Sequence, residues 1–140
     1  MSETGLAYLK QTLFNYRKAL RTLDEILKKI ESKHTHEDFQ IYQDSTIKRY
    51  EYTSKTAIKL MSRYIEYVDK KVNDPIFMLK KAFEFDLIED KIWLIMIDDR
   101  NLTTHEYSEA LAEELLENIY TYAIKLKEFQ NIITSKIDAL

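Results

Sequence analysis

The sequence predicts an all-α fold, an antiparallel up-down four-helix bundle with a broken third helix, on three observations. First, its 140 residues include one glycine, Gly5, and one proline, Pro75, where average usage would supply roughly ten and seven. Sandwiches, barrels and dinucleotide folds spend glycine at turns, bulges and phosphate loops that need positive φ. Second, 45% hydrophobic and 32% charged residues is the balance of amphipathic helices. Third, apolar residues recur at alternating spacings of three and four in three long stretches, the period of a helix that keeps one seam toward a partner.

The first stretch is Leu6, Leu9, Leu13, Tyr16, Leu20, Leu23, Leu27 and Ile30, a seam of about 37 Å at 1.5 Å per residue. Lys28, Lys29 and Lys33 suit the C-terminal end of that helix, and the polar run 32–38 reads as a loop. A second helix is expected over 39–72, with the seam Gln43, Ile47, Tyr50, Ser54, Ala57, Met61, Tyr64 and Val68. Gln43 and Ser54 mark either a small gap or a polar pocket. Asp74 and Pro75 read as N-cap and first helical position of a short third helix over 75–85, with a turn near Asp86. Another helix is expected over 90–100. Thr103-x-x-Glu106 fits a capping box, so the last helix should begin near Thr103–Thr104. Its seam is Ala112, Leu115, Ile119, Tyr122, Leu126, Phe129 and Ile133. The whole chain, 1–140, is expected to be one domain.

Composition excludes several function classes. Without cysteine, disulfides and thiolate metal sites are absent. The longest apolar run, 92–97, is far too short to cross a bilayer. Ser2, Glu3 and Thr4 do not open a signal peptide, so cytoplasm is the expected location, with no membrane partner. The net charge of −3 argues against indiscriminate coating of nucleic acid. That charge is unevenly spread: residues 1–75 carry 14 Lys and Arg against 11 Asp and Glu, residues 76–140 carry 7 against 13. A local basic site is therefore compatible with the acidic total.

Chemistry concentrates in 99–107, DRNLTTHEY, which interrupts the helical pattern. Arg100 offers a permanent planar cation for a phosphate. His105 can take a proton from a hydroxyl and return it to a leaving oxygen. Together they are a minimal kit for cutting RNA without a metal or other cofactor, the 2′-hydroxyl serving as nucleophile. In the first turn of the last helix, the dipole would favour neutral imidazole. The same residues also read as an ordinary helix-end Arg, a capping Thr and a surface His. Asp98 and Asp99 read as surface charges that tune Arg100, and His34-x-His36 lacks a convincing third ligand for a metal.

Residues 100–107 resemble the Arg-x4-His-x-Tyr motif of HepT-type HEPN proteins, helical toxins paired with a minimal nucleotidyltransferase and related to nucleotidyltransferase substrate-binding proteins. The likeness extends to Asp44, Ile47, Arg49, Tyr50, Glu51 and Lys59, then to Pro75, Ala82-Phe83, Leu87-Ile88 and Trp93 in order. It departs at Glu106, where many relatives have Thr, at Asp86 in place of an expected glycine, and at Ile58 in place of a Trp. The resemblance implies a homodimer with two motifs in one cleft, and catalysis by Arg100 and His105. Asn101 would position the motif or the phosphate. It also implies AMP transfer from the cognate nucleotidyltransferase onto Tyr107, which would block RNA entry, and a place for Glu51 in the cleft.

A second candidate is independent of that resemblance. Lys48, Tyr52, Lys55, Lys59 and Arg63 span about 80° of the second helix at 100° per residue, away from its seam. A basic stripe with an interleaved Tyr can track a phosphate backbone and stack a base; it also reads as a solvated face. Three functions stay open: a HepT-like RNase, a non-catalytic subunit presenting nucleotide to a nucleotidyltransferase, and a helical oligomerisation scaffold.

Overall fold

The computed structural model describes residues 3–32, 35, 37–89, 91–105 and 109–140, and of residues 100–105 and 109 only the backbone. Five helices follow in order: α1 (Glu3–Glu31), α2 (Phe39–Val68), α3 (Pro75–Glu84), α4 (Ile92–His105) and α5 (Glu109–Asp138). The described residues contain no strand, and no helix among them is long and apolar enough to cross a membrane.

Cross-links give the helix directions. Arg63 reaches Thr12 and Arg49 reaches the Thr22 carbonyl, so α2 runs antiparallel to α1. Tyr16 packs on Phe129 while Glu31, near the end of α1, lies within electrostatic reach of Tyr120, so α5 also opposes α1. Trp93 meets Phe129 and Asp99 meets Tyr122, which sets α4 antiparallel to α5. This is the up-down arrangement for α1, α2, α4 and α5, with the short α3 between α2 and α4 in the chain.

The expected seams of α1 and α5 are the buried ones, from Leu9 to Ile30 and from Ala112 to Ile133. At their centre Phe129 receives the ring edges of Tyr16 at 5.4 Å and Trp93 at 5.6 Å. Tyr16 is fully buried, and its hydroxyl donates to the Leu126 carbonyl at 2.6 Å. Burial pushes that phenol well above its ordinary pKa.

α2 departs from the narrow seam. Thr46, Thr53 and Thr56 are buried beside it, widening the buried arc to about half the circumference at 100° per residue. Their polarity is absorbed locally: each hydroxyl donates to the carbonyl four residues back, at 2.7, 2.7 and 2.8 Å, a bond threonine makes within a helix. At the two weak seam positions, Gln43 Nε2 and Ser54 Oγ are buried without a partner among the described residues.

The punctuation is partly as expected. Asp74 caps α3 through Ile76 N–H at 3.3 Å, with Pro75 in the first turn. α2 ends at Val68, four residues short of the expected end. Asp86 adopts φ +57°. Leu87 N–H bonds the Ala82 carbonyl at 2.9 Å and Asp86 N–H the Phe83 carbonyl at 3.1 Å, the Schellman pattern, with Leu87 buried behind it. Aspartate thus fills the left-handed position expected of glycine. The main correction is at α4. It runs on to His105, so Thr103 lies inside α4 and does not cap α5, which begins at Glu109.

Three outcomes follow for equilibrium urea unfolding. Phe129→Ala should cost about 3–5 kcal/mol, since it empties a site that three helices share, whereas Tyr16→Phe should cost about 1 kcal/mol. Asp86→Gly should stabilise by roughly 1 kcal/mol, because glycine adopts positive φ without the β-carbon penalty.

Candidate functional site

Arg100, Asn101 and His105 all lie on α4, and His105 is its last residue. The expectation that His105 opens the last helix is therefore overturned. The C-terminal end of a helix favours a cation, so the dipole argument for neutral imidazole does not apply. Tyr107 and Glu106 fall outside the described residues, as do His34 and His36. Among the described residues no group of three His, Asp or Glu could hold a metal ion.

Two tyrosines hold α4 immediately before the motif. From α2, the fully buried Tyr50 donates its hydroxyl to the Met96 carbonyl at 3.0 Å. From α5, Tyr122 donates to the Asp99 carboxylate. The two rings stack at 5.7 Å with planes 26° apart. Asp99 is thus half-buried and tied to the core, while Asp98 is exposed. The reading of both as surface charges holds for Asp98 alone. Burial first, then the Asp99 hydrogen bond and charge, raise the Tyr122 pKa far above its ordinary value. The sequence contained both residues, but nothing in their spacing linked a seam tyrosine to a carboxylate 23 positions away.

The stripe on α2 is more structured than a solvated face. Lys48, Tyr52, Lys55 and Lys59 are exposed, but Arg63 is half-buried against α1. Its Nη1 donates to Thr12 Oγ1 at 2.6 Å and its Nη2 to the Tyr8 hydroxyl at 2.5 Å. The guanidinium carbon sits 3.7 Å from the Tyr8 ring centroid, a cation–π contact. Tyr52, Lys55, Lys59 and Arg63 line one 250 Å³ groove with Thr12, Asn15 and Thr56. Lys48 stays outside it, nearer the start of α2, and Glu51 is half-buried and does not line it. The residues missed were those of α1. Thr12 and Asn15 flank the leucine seam, and only the pairing of α1 with α2 reveals their role.

Other cavities are electrostatically mixed. One of 590 Å³ at the end of the α1–α2 pair is lined by Arg63 but also by Glu66 and Asp69. Another, between α1 and α5, joins Arg17, Arg21 and Lys127 to Asp24. There the Lys127 hydrogen bond leads in holding the Asp24 carboxyl below its usual range, against a smaller opposing effect of burial.

The profile of the family described as nucleotidyltransferase substrate binding protein-like matches residues 11–135. The chain belongs to that family. A crystallised protein of Thermus thermophilus shares the fold, with a TM-score of 0.68 and 26% identity over 87% of this chain and 98% of that one. Among curated proteins none matches significantly. The family assignment bears out the substrate-binding half of the resemblance, and the family's name implies partnership with a nucleotidyltransferase.

The Tyr122 shift carries a pH signature. An unfolded tyrosine ionises near pH ~10, whereas folded Tyr122 resists ionisation. Its contribution to stability is therefore intact below that pH and lost as pH rises beyond it. Urea unfolding at about pH 9 and about pH 11 should show a larger alkaline loss in wild type than in Tyr122→Phe. Equal losses would contradict the assignment.

Proposed function

We propose that this chain is the HepT-like subunit of a two-component system and that it cuts RNA until its partner, a minimal nucleotidyltransferase, silences it. The observation that carries this reading is the family match over 11–135, joined to an Arg100–His105 pair at the end of α4. In the reaction, His105 takes the proton of a ribose 2′-hydroxyl, whose oxygen attacks the adjacent phosphorus. The 5′-oxygen of the next nucleotide leaves with a proton returned by imidazole, and a 2′,3′-cyclic phosphate remains. Arg100 steadies charge on the phosphoryl oxygens, and Asn101 positions the motif or the phosphate. The partner transfers AMP from ATP to the Tyr107 phenol oxygen and releases pyrophosphate. A bulky anion then stands where another phosphate must enter.

A homodimer completes the site in this reading. Positions five apart on one continuous helix stand about 140° apart around its axis, so Arg100 of one copy is best used with His105 of another. Leu94 and Ile95, exposed on α4 just before the motif, are apolar surface that a second copy would cover. The same 140° also favours the second reading, a subunit of this family that binds nucleotide for the transferase without cutting RNA. The whole chain acts as one domain in either case.

With EDTA present, the purified protein should cleave single-stranded RNA, and His105→Ala should lower the rate by at least ~100-fold, the smaller end of what general acid–base catalysis contributes. A variant that cuts at the wild-type rate removes His105 from the mechanism. Wild-type protein that binds labelled nucleotide but cleaves no RNA establishes the second reading instead. Incubation with the partner and ATP should add AMP to wild type and leave Tyr107→Phe unmodified, as read by intact mass.

A further inference from the structure

The 250 Å³ groove between α1 and α2 is the one described cavity of the bundle lined by cations without a carboxylate: Lys55, Lys59 and Arg63 face Asn15, Thr12, Thr56 and Tyr52. Neither lysine has an ion-pair partner among the described residues. Arg63 is locked by Thr12 and Tyr8, so its charge is already placed and little ordering remains to oppose binding. Asn15 keeps its amide hydrogens for a ligand, since its Oδ1 is what accepts from Gln11.

We infer that this groove binds the backbone of single-stranded RNA at a place separate from the α4 motif. The inference rests on the reading of RNA as substrate. Its size favours a strand over an enclosed small ligand: 250 Å³ is below the roughly 300–1,000 Å³ that enclose a whole small molecule. Lys55, Lys59 and Arg63 succeed one another by about 6 Å of helix rise, near the separation of successive phosphates in an extended strand. Tyr52 is 59% exposed, and its ring has no aromatic partner among the described residues. It therefore offers a face on which any base can stack.

The stripe also has a direction. From Arg63 it runs back along α2 to Lys48, at the level of Tyr50, which points to the core from the opposite side of the helix and reaches Met96 on α4. Because α4 opposes α2, the Arg100–His105 end of α4 lies further along that same direction. The groove and the motif are thus offset along one axis, on different sides of α2, which keeps the two places separate.

The test uses anisotropy of a fluorescein-labelled 2′-O-methyl RNA 12-mer, which lacks the nucleophile and isolates binding from cleavage. The double variant Lys55→Glu/Lys59→Glu should weaken binding at least ~30-fold and flatten its salt dependence by about two phosphate contacts. Tyr52→Ala should weaken it about tenfold, and thermal melts of both should match wild type. Lys70→Glu/Lys71→Glu, which makes the same change in net charge outside the groove, should bind within about twofold of wild type. Unchanged binding by the Lys55/Lys59 variant overturns the groove and leaves the proposed RNase standing. An equal loss in the Lys70/Lys71 variant also overturns it, by reducing the effect to overall charge. Displacement of the 12-mer by millimolar AMP overturns the strand assignment in favour of a mononucleotide. Wild type that binds no RNA overturns both this inference and the RNase reading.

Discussion

The packing of Phe129 is the interaction on which the bundle's internal register depends. One side chain of α5 takes Tyr16 from α1 and Trp93 from α4, both edge-on and both buried. α5 is a single 30-residue helix, so fixing α1 and α4 to it also fixes them to each other. Two turns back along α5, Tyr122 lies at the level of Asp99 and of the Tyr50 ring. The aromatic contacts thus supply the apolar area, and the hydroxyls supply the register. Each phenol spends its donor on a particular carbonyl or carboxylate, which a leucine in the same place would leave free to slide. The motif at the end of α4 inherits its position from this arrangement.

Much of this was legible in the sequence because heptad spacing, Asp74-Pro75 and the scarcity of glycine are local signals. The seams of α1 and α5 are buried as their spacing requires. What stayed hidden depends on partners far apart in the chain. The buried threonines of α2 look polar in a list, yet within a helix their hydroxyls return to their own backbone and leave the methyl groups for packing. Arg63 belongs to the stripe by angle but to α1 by contact. The capping box at Thr103 and Glu106 is a sound local start signal that lost to its surroundings. α4 is held through Met96 and Asp99, and a helix so anchored propagates a further turn more readily than it nucleates anew. For the candidate site, the residue types were legible, whereas the α1 side of the groove and the tyrosine pair were not.

The division of charge along the chain becomes spatial once the helices pair. The basic excess of residues 1–75 belongs to the α1–α2 hairpin, and there Lys55, Lys59 and Arg63 meet without carboxylates. The acidic excess lies in the second half, including the early turns of α5 with Glu113, Glu114 and Glu117. Between α1 and α5, Lys127 from the second half pairs with Asp24 from the first, which Lys28 on α1 also neutralises. An acidic total and a basic groove coexist because screening confines each charge to about 8–10 Å in physiological salt. A strand in the groove responds to the lysines beside it more than to the net −3.

Scarce glycine also dictates what kind of phosphate site this chain can build. A glycine cradle wraps an anion in backbone N–H groups, which needs positive φ at several successive positions. Here the described backbone visits positive φ once, at Asp86, and uses it to end a helix. Away from the helix N-termini, an anion on the described helices is met by side chains, because the N–H groups there are already bonded. Such side chains are flexible unless something braces them, and the bracing differs between the two places. In the groove, Tyr8 and Thr12 brace Arg63 directly, so the charge itself is preorganised. At the motif, Tyr50 holds the Met96 carbonyl and Tyr122 the Asp99 carboxylate just before it, so the position of the helix end is set from the core. A groove with a braced guanidinium suits holding a strand; a helix end anchored from the core just before it suits a motif that a second copy would meet in the proposed dimer.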